Sequence, residues 1–526
     1  MTTARVIEHV DTTIRDGNQS LWSATGLTTP DVLGIAPTLD RVGYHALDFT
    51  SSTHMAVSVR FHKEDPWERL RLVSAAMPNT PLGMIGTGMR FISWVPAAED
   101  LMALSFRVAA RNGLRRFQIA DPSNDPARIG KVAAMARREG IEQVVVGLTY
   151  SISPVHTHDY YAQRTAALAD CGDIDRFYLK DPGGLLTPDA VRELAPHFLA
   201  AAGERTVELH SHCTIGLAPL VYVEGVRAGF QVVHTAIAPL SRGTSQPDVL
   251  NTVTNLEAAG FAHVLDLEAQ ALVSVHFQVV AVEKALPPGT PQEFDGAYYR
   301  HQLPGGMVTT TQRMLAQIRR PELYEQVLEE VTRVRAEMGY PIIVTPVSQF
   351  IASQAARNVM DGERWKSVSD ETIRYFWGHY GESPAPVDPE VAERVLSLPQ
   401  AAKLRDLEPI SLDGARARFG KRISDEELLL RLTMPAEQVD AMVAAKAPSV
   451  AAPSPSGGAA GGLLPTQAAK VPQPAAQPAA QRAAEPAAEP AGSTPVVTLL
   501  RELAARPDIR EFTLTGDDES VVWRRG

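Results

Sequence analysis

The chain has 526 residues, 44% of them hydrophobic, which at ~150 residues per domain is roughly three or four units, or fewer if one is a large barrel. Its 50 Lys and Arg against 61 Asp and Glu leave a formal net charge of −11, which argues against sequence-independent nucleic-acid binding, because that depends on neutralising phosphates. Two cysteines, Cys171 and Cys213, exclude a disulfide framework and a zinc finger; no apolar leader opens the chain and no run reaches ~18 apolar residues, so a reduced, cytoplasmic setting without a membrane span is expected.

Over residues 1–290 short apolar runs alternate with helical patterns. His45–Phe49, Pro81–Ile85, Phe117–Ala120, Gln143–Leu148, Arg176–Leu179, Thr206–Leu209 and Val232–Ala236 predict strands. Ala97–Asn112, Pro126–Glu139, Tyr160–Asp170 and Thr187–Ala202 predict helices between them. Such alternation implies a parallel sheet with helical crossovers. No Gly-rich phosphate-binding turn follows the first strand, and a closed barrel suits the count better than an open sheet. The fold class is therefore α/β: a TIM (β/α)8 barrel over 1–290, followed by a mainly helical domain over 291–443. The helical patterns there are Glu322–Met338, Ser348–Val359 and Pro389–Ser397, and this domain is expected to complete the active site.

From 444 to 495 the chain is mainly Ala, Pro, Gly, Ser and Gln, which buries too little apolar surface to offset its ordering entropy; a disordered Ala/Pro linker is predicted. In 496–526, Val496–Ala505 is a helix candidate, and Glu511–Thr515 and Ser520–Arg524 alternate like two strands joined through Gly516-Asp517-Asp518. That piece is too small to be stable alone. A tether ending in a foldable piece predicts a small docking segment for a partner.

Four segments carry candidate chemistry: Asp11–Ser20 (DTTIRDGNQS) at the end of the first strand, Leu179–Gly184 (LKDPGG), Glu208–His212 (ELHSH) and Val344-Thr345-Pro346. The C-terminal strand ends of a barrel share one face, so the first three can converge there. Alternate residues of a strand point to the same side, so His210 and His212 can face one ion. With Asp16 they make two nitrogens and an oxygen, a set that suits zinc first, then manganese or cobalt. Lys180 has two readings. It is either a ligand after carboxylation of its amine, since a bare ammonium would be repelled by a divalent cation, or a lysine paired with Asp181. Cys213 reads either as a neighbour of the metal or as a small buried residue.

These segments resemble a known family. DTTIRDGNQS resembles the DTTxRDAHQS signature of pyruvate carboxylase carboxyltransferase domains, oxaloacetate decarboxylase alpha subunits and the transcarboxylase 5S subunit. YLKDPGGLLTP resembles the family's KDMAGLL, HSHCTIG its HTHDTSG, Ser241–Pro247 its SGxTSQP, Leu303–Gly306 its MPGG and Val344–Ser348 its VTPSS, all in family order. The resemblance implies a metal held by Asp16, His210, His212 and a carboxylated Lys180. It implies Thr345, Lys180 and Arg15 as catalytic residues, Thr345 relaying a proton between acceptor and biotin. Gln19, Thr87 and Ser348 fall at substrate-binding positions. Biotin is expected to come from a partner subunit, since neither Lys446 nor Lys470 stands in a biotin-attachment setting. The chain's last residues resemble the N-terminal region of biotin carboxyl carrier proteins, so the tail is expected to dock a carrier or a biotin carboxylase subunit. The family also implies a homodimer.

Some positions depart from the family. Thr87 stands where the family has a substrate-binding arginine in LRGxN, with Arg90 three residues on. Asn18 replaces a histidine, Cys213 a carboxylate, Met307 a glutamine, and Ala56 an aspartate of the biotin site. Ligand positions are kept while acceptor positions change, which predicts a small acceptor other than pyruvate. Three alternatives stand beside a carboxyltransferase subunit. One is an aldol-type lyase or synthase of the hydroxymethylglutaryl-CoA lyase class, which shares the RDG start and the H-x-H pair but is disfavoured by Lys180-Asp181, LPGG and VTP. The others are a biotin-dependent decarboxylase subunit and an inactive scaffold.

Overall fold

The computed structural model describes residues 4–87, 97–406, 408–445, 511–515 and 520–524. The helix expected over Val496–Ala505, nearly all of the linker expected over 444–495, and Arg90 lie outside them.

Eight parallel strands close into a barrel: β1 (Glu8–Asp11), β2 (Ala46–Ser51), β3 (Leu82–Gly86), β4 (Leu114–Ile119), β5 (Gln143–Thr149), β6 (Arg176–Asp181), β7 (Thr206–Ser211) and β8 (Val232–Thr235). Each pairs with the next in sequence, and β8 returns to β1, with Asp11 beside Thr235. Their outward Val, Ile, Leu and Phe side chains join the surrounding helices in one core, as expected of parallel strands covered on both faces. The helices begin where chain chemistry starts them. Asp125 and Thr187 cap Pro126–Arg138 and Pro188–Ala202 through side-chain bonds to backbone N–H groups, and each helix has proline in its first turn.

The helical region contains two packings. Leu303 to Leu404 contribute a second core, centred on the helices Tyr324–Glu337 and Val347–Asp361. The last three helices before residue 445, Leu412–Phe419, Asp425–Thr433 and Ala436–Ala444, instead return to the barrel. Leu428, Leu429, Leu430, Val439 and Met442 belong to the barrel's own core. The second core is held over the barrel by buried Arg335. Its guanidinium donates to the Ile152 carbonyl (2.8 Å) and to Ser151 Oγ (2.7 Å) in the loop after β5. That anchorage places the Val344–Pro346 segment above the C-terminal ends of the strands.

Residues 448–526 form a separate unit. Within it β9 (Glu511–Thr515) and β10 (Ser520–Arg524) pair antiparallel, Ser520 opposite Thr515 and Arg524 opposite Glu511, as the alternation predicts. No helix among the described residues is long and apolar enough to cross a membrane.

Candidate active site

Asp16 is not on a strand. β1 ends at Asp11, and the chain then turns helically through Thr13–Gly17, with the Asp16 and Gly17 N–H groups both bonded to the Thr12 carbonyl. Gly17 is required by closeness: a Cβ there would come within 2.6 Å of the Leu240 carbonyl oxygen. The turn aims Asp16 across the barrel mouth. One of its carboxylate oxygens, Oδ2, lies 3.4 Å from Nε2 of both His210 and His212. His210 is on β7, and His212 follows it by one residue beyond the strand end, so the two rings share a side as the His-x-His spacing predicts. Ligand atoms of Asp16, His210 and His212 all lie within 4.8 Å of one another, and all three residues are buried.

Lys180 is the cross-strand register partner of His210. The pairing of Lys180 with Asp181 does not form. Asp181 accepts instead from the backbone N–H groups of Leu185 and Leu186 and from the Ser211 hydroxyl. Burial lowers the Lys180 amine from its ordinary value, against the opposing pull of Asp16. Burial alone would raise the Asp16 carboxyl. Arg15, His212 and Lys180 nevertheless hold it well below the usual carboxylate range. Burial, reinforced by Lys180, pushes the His210 imidazole well below its ordinary value.

Arg15 is locked rather than free. Its Nε donates to Asp48 on β2 at 2.7 Å, a second nitrogen reaches the same Asp48 oxygen, and that nitrogen is 3.0 Å from Asp16. It therefore orients the Asp16 carboxylate. Gln246 completes the cluster, its amide nitrogen 2.9 Å from His212 Nε2 and 3.4 Å from His210 Nε2. Cys213 is buried outside the ligand set, its thiol pushed up to about 12 by burial.

A cavity of about 310 Å³ opens beside the cluster. Its walls bring together Arg15, Asp16, Gln19, Thr87, Lys180, His212 and Thr345, which come from five separated parts of the chain. Met307 also lines it, as do Ser20, Ser51, Ser52, Thr53, Thr149 and Thr244. Two expected site residues stand elsewhere. His210 is behind the wall, reaching the cluster from inside the barrel. Ser348, expected at a substrate position, is fully buried on the helix Val347–Asp361 and is not part of the wall, because three residues beyond Thr345 its side chain turns into the packing. Asp48, Thr244 and Gln246 touch the cluster or its partners, although motif and spacing do not assign them. Thr244 and Gln246 lie inside the SRGTSQP loop, and Asp48 is a charge in a strand that is otherwise buried and mostly apolar.

Comparison with known proteins places this geometry in context. Residues 298–474 match the model of a conserved carboxylase domain. A pyruvate carboxylase subunit of Methanocaldococcus jannaschii is 36% identical over 392 residues, spanning 74% of this chain and 68% of its own length. The 2-oxoglutarate carboxylase large subunit of Hydrogenobacter thermophilus is 31% identical, over 82% of this chain and 68% of its own length. The methylmalonyl-CoA carboxyltransferase 5S subunit of Propionibacterium freudenreichii subsp. shermanii is also 31% identical, over 72% and 74%. In fold, the carboxyl transferase domain of Rhizobium etli pyruvate carboxylase superposes with a TM-score of 0.75 over 84% of this chain and 78% of that one, at 24% identity. With Asp16, His210, His212 and Lys180 gathered at the barrel mouth and relatives of this similarity along most of its length, the chain belongs to the family of carboxyltransferase subunits of biotin-dependent carboxylases.

Proposed function

We propose that this subunit moves a carboxyl group between carboxybiotin, presented by a separate carrier protein, and a small acceptor other than pyruvate. The observation that carries this reading is the convergence of Asp16, Lys180, His212, Gln19, Thr87 and Thr345 on one cavity. Two imidazole nitrogens and a carboxylate oxygen within 4.8 Å, at the edge of that cavity, fit a divalent metal, with carboxylated Lys180 as an added oxygen donor and zinc as the first candidate. Such an ion would polarise the acceptor carbonyl and stabilise the charge that develops as the neighbouring carbon gives up its proton. The chain's own groups do the rest. Arg15 orients Asp16, Gln19 holds the acceptor, and the Thr345 hydroxyl moves a proton between the acceptor carbon and the donor's ring nitrogen.

The case against pyruvate rests on Thr87. Its hydroxyl is buried without a partner at the cavity wall, where a guanidinium would pair bidentately with a carboxylate. Arg15, which also lines the cavity, is already engaged by Asp48 and Asp16. Loss of a charge-assisted pair is expected to cost about 10- to 100-fold in turnover of a keto acid. With a carboxylated carrier supplied, labelled carboxyl transfer to pyruvate, 2-oxoglutarate and acyl thioesters should show pyruvate well below the best acceptor. Brisk turnover of pyruvate would overturn this part of the reading.

The tail is proposed to dock a biotin carrier or a biotin carboxylase subunit through β9 and β10. Deleting residues 496–526 should then remove those partners from the purified complex while the metal site stays intact. A complex that still co-purifies without the tail counts against docking by this segment.

A further inference from the structure

Below the ligand cluster, polar contacts run down through the barrel. Glu208 on β7 and Arg116 on β4 are both completely buried, and their strands are not hydrogen-bonded neighbours, so their contact crosses the barrel interior. The guanidinium donates to both carboxylate oxygens, at 3.1 and 2.5 Å. His234 on β8 places Nε2 2.7 Å from Glu208 Oε2. Its other nitrogen, Nδ1, lies 3.1 Å from His210 Nδ1. Tyr178 stacks on the His234 ring, with centroids 5.4 Å apart and planes inclined at 23°, which fixes the plane of the imidazole. Gly147 on β5 makes room for Tyr178, because a Cβ there would run into the Tyr178 ring.

The proton positions along this chain follow from which groups can only accept. A carboxylate paired on both oxygens has no proton to give, so His234 Nε2–H donates to Glu208. In a neutral His234 ring Nδ1 is then an acceptor, and His210 Nδ1–H is the donor to it. The other end gives the same answer independently. His212 Nδ1 is 2.6 Å from the Thr244 carbonyl, which only accepts, so in the neutral ring that binds a metal His212 Nε2 is left with its lone pair. The Gln246 amide group therefore faces His212 Nε2 with N–H, and the same nitrogen meets His210 Nε2. Both imidazoles thus present unprotonated Nε2 atoms to Asp16.

We propose that Glu208 and His234 are positioning residues for the metal: a carboxylate–histidine relay that holds His210 in the Nδ1–H tautomer, with the Nε2 lone pair aimed at the ion. His212 gets the same setting from one backbone carbonyl. His210 gets it from a two-residue relay anchored by Arg116. The inference rests on the metal reading of Asp16, His210 and His212, and adds to it the outer partners on which ligand orientation depends.

The test is Zn2+ affinity of the full chain, measured by competition with a chromophoric chelator. His234→Leu keeps the bulk and removes the acceptor, and should weaken Zn2+ binding by about 10- to 100-fold. His234→Asn restores an acceptor, because its Oδ1 branches from the side chain where Nδ1 does, and should bind within about threefold of the native chain. Native-like affinity in His234→Leu overturns the relay. So does an asparagine variant that falls as far as the leucine one, since the loss would then follow packing. A measurement without variants at position 234 stands beside these: ring-nitrogen NMR of 15N-histidine-labelled, metal-free protein, with His210 assigned by the signal lost in His210→Gln. It should show Nδ1 protonated, and a protonated Nε2 overturns the proposal even if His234→Leu fails to fold. A native chain that takes up no Zn2+ would overturn the metal reading and the relay with it, whereas equal uptake by native and His234→Leu proteins overturns the relay alone.

Discussion

Asp16→Asn should reduce carboxyl transfer by at least about 1,000-fold while leaving the barrel folded. Asparagine has the shape of aspartate, so the turn after β1 keeps its backbone bonds to the Thr12 carbonyl, and Arg15 keeps Asp48. What is lost is the full negative charge 3.4 Å from both histidine nitrogens, and a neutral amide is a much poorer partner for a divalent cation. The variant should therefore purify with little metal, which elemental analysis reads directly, and with a melting temperature close to native. Stripping the native protein with a strong chelator should abolish activity, and Zn2+ should restore it in the native chain but not in the variant. If Lys180 is carboxylated, restoration should be faster with bicarbonate present than in carbon-dioxide-free buffer. Native-like metal content and turnover in Asp16→Asn would sink the ligand assignment, and reloading indifferent to bicarbonate would sink the carboxylated lysine.

The strands were readable because parallel barrel strands are covered on both faces, so each appears as a short apolar run between helical patterns. The site was readable to the extent that local periodicity writes it. The two-residue period of β7 puts His210 and His212 on one side, and barrel topology brings strand ends together however far apart they are in sequence. Asp16 was found for that reason although it stands on a helical turn and not on a strand. Ser348 falls off the cavity wall because motif order says nothing about which way a residue turns once a helix begins at Val347. The Arg116–Glu208–His234 relay was invisible to spacing, since the three belong to strands separated by about 25 to 120 residues and Arg116 reaches Glu208 only across the barrel interior. A signal existed nonetheless. Arg116 and Glu208 are charges in strands that are buried along nearly their whole length, and a charge buried there must find a partner. The return of Leu412–Ala444 to the barrel was hidden for a related reason. An amphipathic helix announces that one face is buried, but not against what.

Arg116→Met should be among the most destabilising single changes in the barrel, at about 3–5 kcal/mol. Methionine follows the volume of the arginine stem closely enough to avoid a large cavity, so packing is not the main loss. The loss is electrostatic: Glu208, completely buried, would keep the His234 N–H but no longer have a cation on its two oxygens. Arg176, 3.7 Å from Glu208, is too distant to replace a bidentate pair. In calorimetry the barrel transition should move down by roughly 5–8 °C. The double variant Arg116→Met/Glu208→Met removes the stranded charge along with its partner and should recover a good part of that shift, since a buried pair replaced by apolar groups of similar volume is often close to neutral in stability. It should not recover metal affinity, because His234 would then have lost the carboxylate that fixes its tautomer. The two readouts must therefore part company: stability returns in the double variant while Zn2+ binding stays weak. If both return together, the buried pair serves the fold alone; if neither returns, the barrel interior depends on Glu208 for packing rather than for charge.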